Sequence, residues 1–165
     1  MPSTNNANPA RFKHFGAIRR PSSVSHAETK SALAVLRTEG YRPVLVPQNI
    51  YEFSSFASRP SNARGLGLSV IDVDRLLNQL IALFELCIPA REIELEYFRE
   101  MQVALGVVSK KVHDLRLVAA CRNLRIDYLL TYNDADFTMA VHAGHIQTIT
   151  PPQVMQLYPP PPASR

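Results

Sequence analysis

The amino-acid sequence predicts an α/β fold, a mainly parallel central sheet flanked by helices, and three observations carry that reading. Punctuated amphipathic helices alternate with short all-apolar runs along the chain. The runs Val44-Leu45-Val46 and Tyr128-Leu129-Leu130-Thr131 lack the polar alternation of a strand with one wet face, so each reads as buried on both faces. A polar or proline-bearing turn follows each run directly, as in βαβ units whose helices cover both sides of the sheet.

The elements follow in order. Ser25 with Glu28 three residues later fits a capping box, and the helix it opens runs through Leu33 and Leu36 to Gly40, a left-handed stop. Val44 to Val46 is the first strand of the pattern, ended by Pro47. Ile50, Phe53, Phe56 and Ala57 recur at helical spacing over residues 48–57, and Arg59-Pro60 closes that helix. Beyond the loop SNARGLGL, Ser69 and Asp72 cap a helix whose Leu76, Leu77, Leu80, Ile81 and Phe84 form a wide apolar face, expected to pack into the core. Leu86-Cys87-Ile88 reads as a brief strand. Ile93, Tyr97, Phe98, Met101 and Leu105 then mark a helix that stops at Gly106, its Glu92, Glu94, Glu96 and Glu100 forming a solvated acidic surface. Val112, Leu115, Val118, Ala119 and Leu124 mark the next helix, Tyr128–Thr131 the second buried strand, and Ile146–Ile149 a last one.

The ends carry no such pattern. The first 22 residues are rich in Asn, Pro, Ser and Arg without periodicity, and the last seven, PPPPASR, form neither helix nor central strand. The expected organisation is a disordered or degenerate segment over 1–22, one domain over 23–158 and a Pro-rich tail over 159–165. A length of 165 residues suits one domain, against a prior of roughly 150 residues each. No apolar run reaches the about 18 residues that span a bilayer, and MPSTNNANPARFKHF lacks a signal-peptide core, so a cytoplasmic protein without membrane contact is expected. Cys87 and Cys121 lie inside apolar periodic segments and read as small buried hydrophobes. The net charge of +4 suits a polyanionic partner without requiring one.

Chemistry in an open parallel sheet gathers beyond the C-terminal ends of its strands. Glu52 and Asp136 fall just past such ends, and Asp114 begins the helix leading to the strand before Asp136. Taken singly, Asp114 reads as a helix cap, Glu52 as a surface charge and Asp136 as a turn residue. Together they would converge on one edge, where clustered carboxylates repel unless a hard cation such as Mg²⁺ or Mn²⁺ neutralises them and activates water. Lone His113 and His142 read as surface or core residues without a catalytic role.

At this point the residues resemble a family. Val44-Leu45-Val46-Pro47-Gln48-Asn49-Ile50-Tyr51-Glu52-Phe53, Arg59-Pro60, Gly65-Leu66-Gly67-Leu68-Ser69, Val112-His113-Asp114-Leu115-Arg116-Leu117-Val118-Ala119 and Leu130-Thr131-Tyr132-Asn133-Asp134-Ala135-Asp136-Phe137 resemble the PIN-domain pattern of VapC-like toxins in order and spacing, from about residue 22 to 155. The resemblance implies a PIN-like three-layer sandwich and a Mg²⁺- or Mn²⁺-dependent endoribonuclease of toxin–antitoxin type. It implies Glu52, Asp114 and Asp136 as catalytic metal ligands with Asp134 as a weaker one, and Thr131 and Asn133 shaping the site. RNA, a small antitoxin and a second copy in a homodimer are the partners it implies.

One departure stands out. The family opens with a central strand that ends in aspartate, whereas here no Asp precedes Asp72, and the charged segment Phe12–Arg20 takes that strand's place. Weak or absent RNase activity, with weak binding of Mg²⁺ or Mn²⁺, is therefore expected. The alternative is a catalytically silent module that binds RNA or an antitoxin, with Arg59, Arg64, Lys110 and Lys111 contacting phosphates. A generic Rossmann-like binder is disfavoured, since no G-x-G-x-x-G turn follows the first strand and Gly65-Leu66-Gly67 follows a helix.

Overall fold

The computed structural model describes residues 14–19 and 23–159, with side chains from residue 27 onward. Five strands form one sheet: β1 (His14–Arg19), β2 (Arg42–Leu45), β3 (Glu85–Leu86), β4 (Tyr128–Thr131) and β5 (Gln147–Ile149). Their spatial order is β3-β2-β1-β4-β5, and every neighbouring pair is parallel. The helices are α1 (Ser23–Thr38), α2 (Pro47–Ser58), α3 (Val70–Leu83), α4 (Arg91–Leu105), α5 (Lys111–Asn123), α6 (Thr138–His142) and α7 (Pro151–Leu157).

Side-chain alternation along the strands divides the interior into two cores. Leu129 joins Val44, Val46, Met101, Leu117, Val118 and Phe137 on the side covered by α4 and α5. Its neighbour Leu130 joins Ala32, Leu36, Ile149 and Val154 on the side covered by α1 and α7. The result is the three-layer α/β/α arrangement that the all-apolar runs predicted. Between α4 and α5, Arg116 meets Glu94 at 3.0 Å and Arg122 meets Glu100 at 3.2 Å, so part of the acidic surface of α4 is spent on pairing the two helices. Such surface pairs contribute little to stability, about 0–1 kcal/mol each.

Three expectations differ from the structure, and one helix is added to those the sequence signals. The first 22 residues are not all tail, because His14–Arg19 forms the middle strand of the sheet. Charges at both ends of Phe15-Gly16-Ala17-Ile18 obscure a short apolar run, and pairing on both edges decides its conformation. The remaining tail expectations, over 1–13, 20–22 and 160–165, lie outside the described residues. Helix α1 starts at Ser23, which places Ser25 inside the helix and not at its cap. Helix α3 is less buried than its pattern suggested: Val73 is its one buried residue, Leu76, Leu77 and Leu80 are half-buried, and Ile81 is 43% exposed. Ser69 nevertheless caps α3 as expected, accepting from the Asp72 N–H at 3.2 Å. Helix α7 has no clear sequence signal, its Pro151-Pro152 start masking a capping box in which Thr150 accepts from the Gln153 N–H at 3.3 Å.

Both cysteines are free. Burial pushes the Cys121 thiol up to about 12, and burial together with the Glu85 carboxylate raises that of Cys87, so neither is a reactive thiolate near neutral pH.

Candidate functional site

The C-terminal ends of the parallel strands share one edge, and the turns that leave β2 and β4 carry the candidate residues. After β2, Asn49 Oδ1 accepts from the Val46 N–H at 2.8 Å, which turns the chain into α2 at Pro47. Gln48, in the first turn of α2, is buried. Its Nε2 donates to the His113 carbonyl at 2.7 Å and to Glu52 Oε1 at 2.8 Å. One amide therefore joins α2 to the start of α5 and orients the half-buried Glu52 carboxylate. Both acceptors are oxygens, which fixes the direction of the amide and leaves Gln48 Oε1 buried without a hydrogen-bond partner.

After β4, Thr131 is 1% exposed, and its Oγ1 accepts from the Asn133 N–H at 3.0 Å. This hydroxyl-backed turn leads into a single 3₁₀ turn over Asp134–Phe137, where the Asp136 N–H donates to the Asn133 carbonyl at 3.2 Å. Phe137 is the anchor, 1% exposed in the core beneath the turn. Tyr132 adds a tie to α1, donating to Glu28 Oε2 at 3.1 Å.

Asp114 and Asp136 line one cleft together with Lys111, Leu115, Val118, Phe137 and Ala140. Asp114 is buried at 8% exposure in the first turn of α5, where the helix dipole favours its charge. Asp136 is exposed at the rim. None of Glu52, Asp114 and Asp136 is without a partner. The expected residues thus separate into groups. Asp114, Asp136 and Lys111 share the cleft, and Thr131 and Asn133 build the turn that holds Asp136. Glu52 is linked to the start of α5 through Gln48. Asp134 is exposed with its Oδ1 turned to the Ala135 N–H, and Lys110 is exposed just ahead of α5. Arg59 closes α2 at the end opposite the cleft, roughly 18 Å along a helix of 12 residues.

Nothing in the sequence around Gln48 assigns it a role. A glutamine in the first turn after a buried strand signals polarity, but not that it bridges two helices. We expect Gln48→Ala to lower stability by about 1–3 kcal/mol, since it removes the part-buried hydrogen bonds that tie α2 to the His113 carbonyl and orient Glu52. Denaturant unfolding measures this, and a change below about 0.5 kcal/mol would show that water replaces the amide at no cost.

No family model matches the chain, and no curated protein matches it. A solved structure does: a chain of VapBC-1 from nontypeable Haemophilus influenzae superposes with a TM-score of 0.59 at 12% identity, covering 84% of this chain and 98% of that one. The likeness is one of fold. It matches the three-layer architecture that the resemblance in the sequence implied.

That resemblance also implies a divalent ion, which the residues present can be tested against. Among the described residues, no three His, Cys, Asp or Glu side chains are grouped closely enough to hold a metal ion. Residues 1–26 and 160–165 contain no Asp, Glu or Cys, so no carboxylate from them completes the set. The donors fall short of the three-carboxylate site that the resemblance implies, and no hydrolytic step can be derived through it.

Proposed function

We propose that the chain is a PIN-like ribonuclease scaffold of toxin–antitoxin type that, as it stands, cleaves RNA weakly or not at all and acts in the cytoplasm by binding RNA at the C-terminal edge of its sheet. The observation that carries this reading is the cleft itself. It lies where such folds place their chemistry, holds Asp114 and Asp136, and is bordered by Lys111, yet it lacks the third acid for a metal cluster. Lys111 lines it and its chain neighbour Lys110 is exposed, two cations that would meet phosphate oxygens.

Fluorescence anisotropy with a labelled single-stranded RNA in EDTA tests this. Binding should weaken linearly in log-log terms as salt rises, and replacing Lys110 and Lys111 by alanine should lower that slope by about 0.7 for each lysine. Absence of binding at low salt would sink the proposal.

A second reading, a protein partner at the helical surface, is favoured by α3. Val70, Ile71, Ile81 and Leu83 expose apolar surface of the kind that a second copy or a small antitoxin would cover. The VapBC-1 likeness adds to that reading. Light scattering that reports the monomer mass at high concentration would remove its homodimer form.

A further inference from the structure

Size and charge together limit what the cleft between α5 and the turn after β4 admits. The free space inside it is about 20 Å³, room for one or two groups the size of a water molecule. Its walls are mostly apolar, with Leu105, Val107, Leu115, Phe137 and Met139 among them, and its charged groups are Asp114, Asp136 and Lys111. A phosphate is too large for that space and is repelled by both carboxylates. The phosphates of a bound strand therefore stay outside, against the lysines.

Both carboxylates already have partners, but each offers about four acceptor places and no donor. Asp114, at 8% exposure, is screened from water, which strengthens any hydrogen bond donated to it. Lys111 in the same cleft opposes an ammonium or guanidinium and tolerates a neutral amine. The exocyclic amino group of a nucleobase meets all three conditions, being water-sized, a donor and uncharged. Met139, which lines the cleft and is 43% exposed, offers its thioether to the aromatic ring behind that amine.

We propose that the Asp114–Asp136 cleft is a base-reading site, which takes the amino group of an unpaired cytosine, adenine or guanine and rejects uracil. Uracil carries carbonyl oxygens and no amino group, so it brings an acceptor against the carboxylates. This rests on RNA binding at this edge of the sheet, and adds which part of the RNA enters.

The test is fluorescence anisotropy of the full chain with fluorescein-labelled oligocytidylate and oligouridylate of equal length, in EDTA at neutral pH and fixed salt. The two bases differ where the cleft reads them, an amine against a carbonyl. The oligocytidylate should bind at least about fivefold more tightly. Asp136→Ala should bring that ratio close to one, although removing a negative charge raises the affinity for both strands. The ratio thus separates base reading from general electrostatics. Equal affinities for the unmodified chain, or a ratio untouched in a folded Asp136→Ala, overturn the proposal while leaving RNA binding in place. Binding of neither strand removes the RNA reading and this inference with it. With equal affinities, a melting temperature raised by ethylammonium but not by sodium at the same ionic strength would assign the cleft to a cationic side chain of a protein partner. Should Asp136→Ala not fold, the ratio for the unmodified chain decides alone.

Discussion

Replacing the charged segment ahead of α1 by an apolar strand that ends in Asp-Thr-Asn is expected to raise Mg²⁺-dependent RNA cleavage at least about 10²-fold over the present chain. Two effects add. A carboxylate at the end of β1 would come from the strand that pairs with β4, on the edge where the described residues form no group of three ligands with Asp114 and Asp136. That strand is the middle one of the sheet, held on both sides by β2 and β4. A ligand on a rigid element fixes an ion and its water to within fractions of an ångström, and about 1 Å of misplacement alone costs roughly 10²-fold in rate. A fluorogenic RNA read with and without Mg²⁺ gives the ratio. A folded variant that binds Mn²⁺ but gains no cleavage would mean that the rest of the edge is not arranged for hydrolysis.

The second large effect is on stability. Phe137 ends the 3₁₀ turn after β4 with 1% exposure and packs in the core formed by α4, α5 and the sheet. Phe137→Ala should cost about 3–5 kcal/mol, the lost transfer of a buried ring plus the cavity it leaves. Because Phe137 adjoins Asp136 and lines the same cleft, the loss should also loosen that carboxylate. Val103, 85% exposed on α4, is the control, since Val103→Ala should change stability by less than about 0.5 kcal/mol. Chemical denaturation of the two variants separates them, and equal midpoints would contradict the packing described.

The elements that could be read from sequence were those whose own residues decide their structure. Tyr128–Thr131 is strand because both faces are buried, and Ser69 starts α3 because its hydroxyl meets the Asp72 N–H. What escaped depends on partners far along the chain. His14–Arg19 is a strand because β2 and β4 flank it, and nothing local outweighs its charges. The apolar stripe of α3 is only half-buried, because periodicity reveals that a face is apolar and not how fully it is covered. At the site, spacing brought Asp114 and Asp136 to one cleft, as their places after a strand and at a helix start implied. It could not show that Glu52 would reach α5 by way of Gln48, because that depends on how α2 and α5 cross.

We propose that this PIN-like scaffold holds RNA at an edge of its sheet that does not cleave it. End-labelled RNA incubated with the unmodified chain and Mg²⁺ or Mn²⁺, then run on a denaturing gel, tests it most directly. The RNA should stay intact over the no-protein control at protein concentrations that saturate binding. Cleavage by the unmodified chain that needs the metal and disappears in Asp136→Asn would contradict the account, and would require the edge to assemble a working metal site from the acids it has.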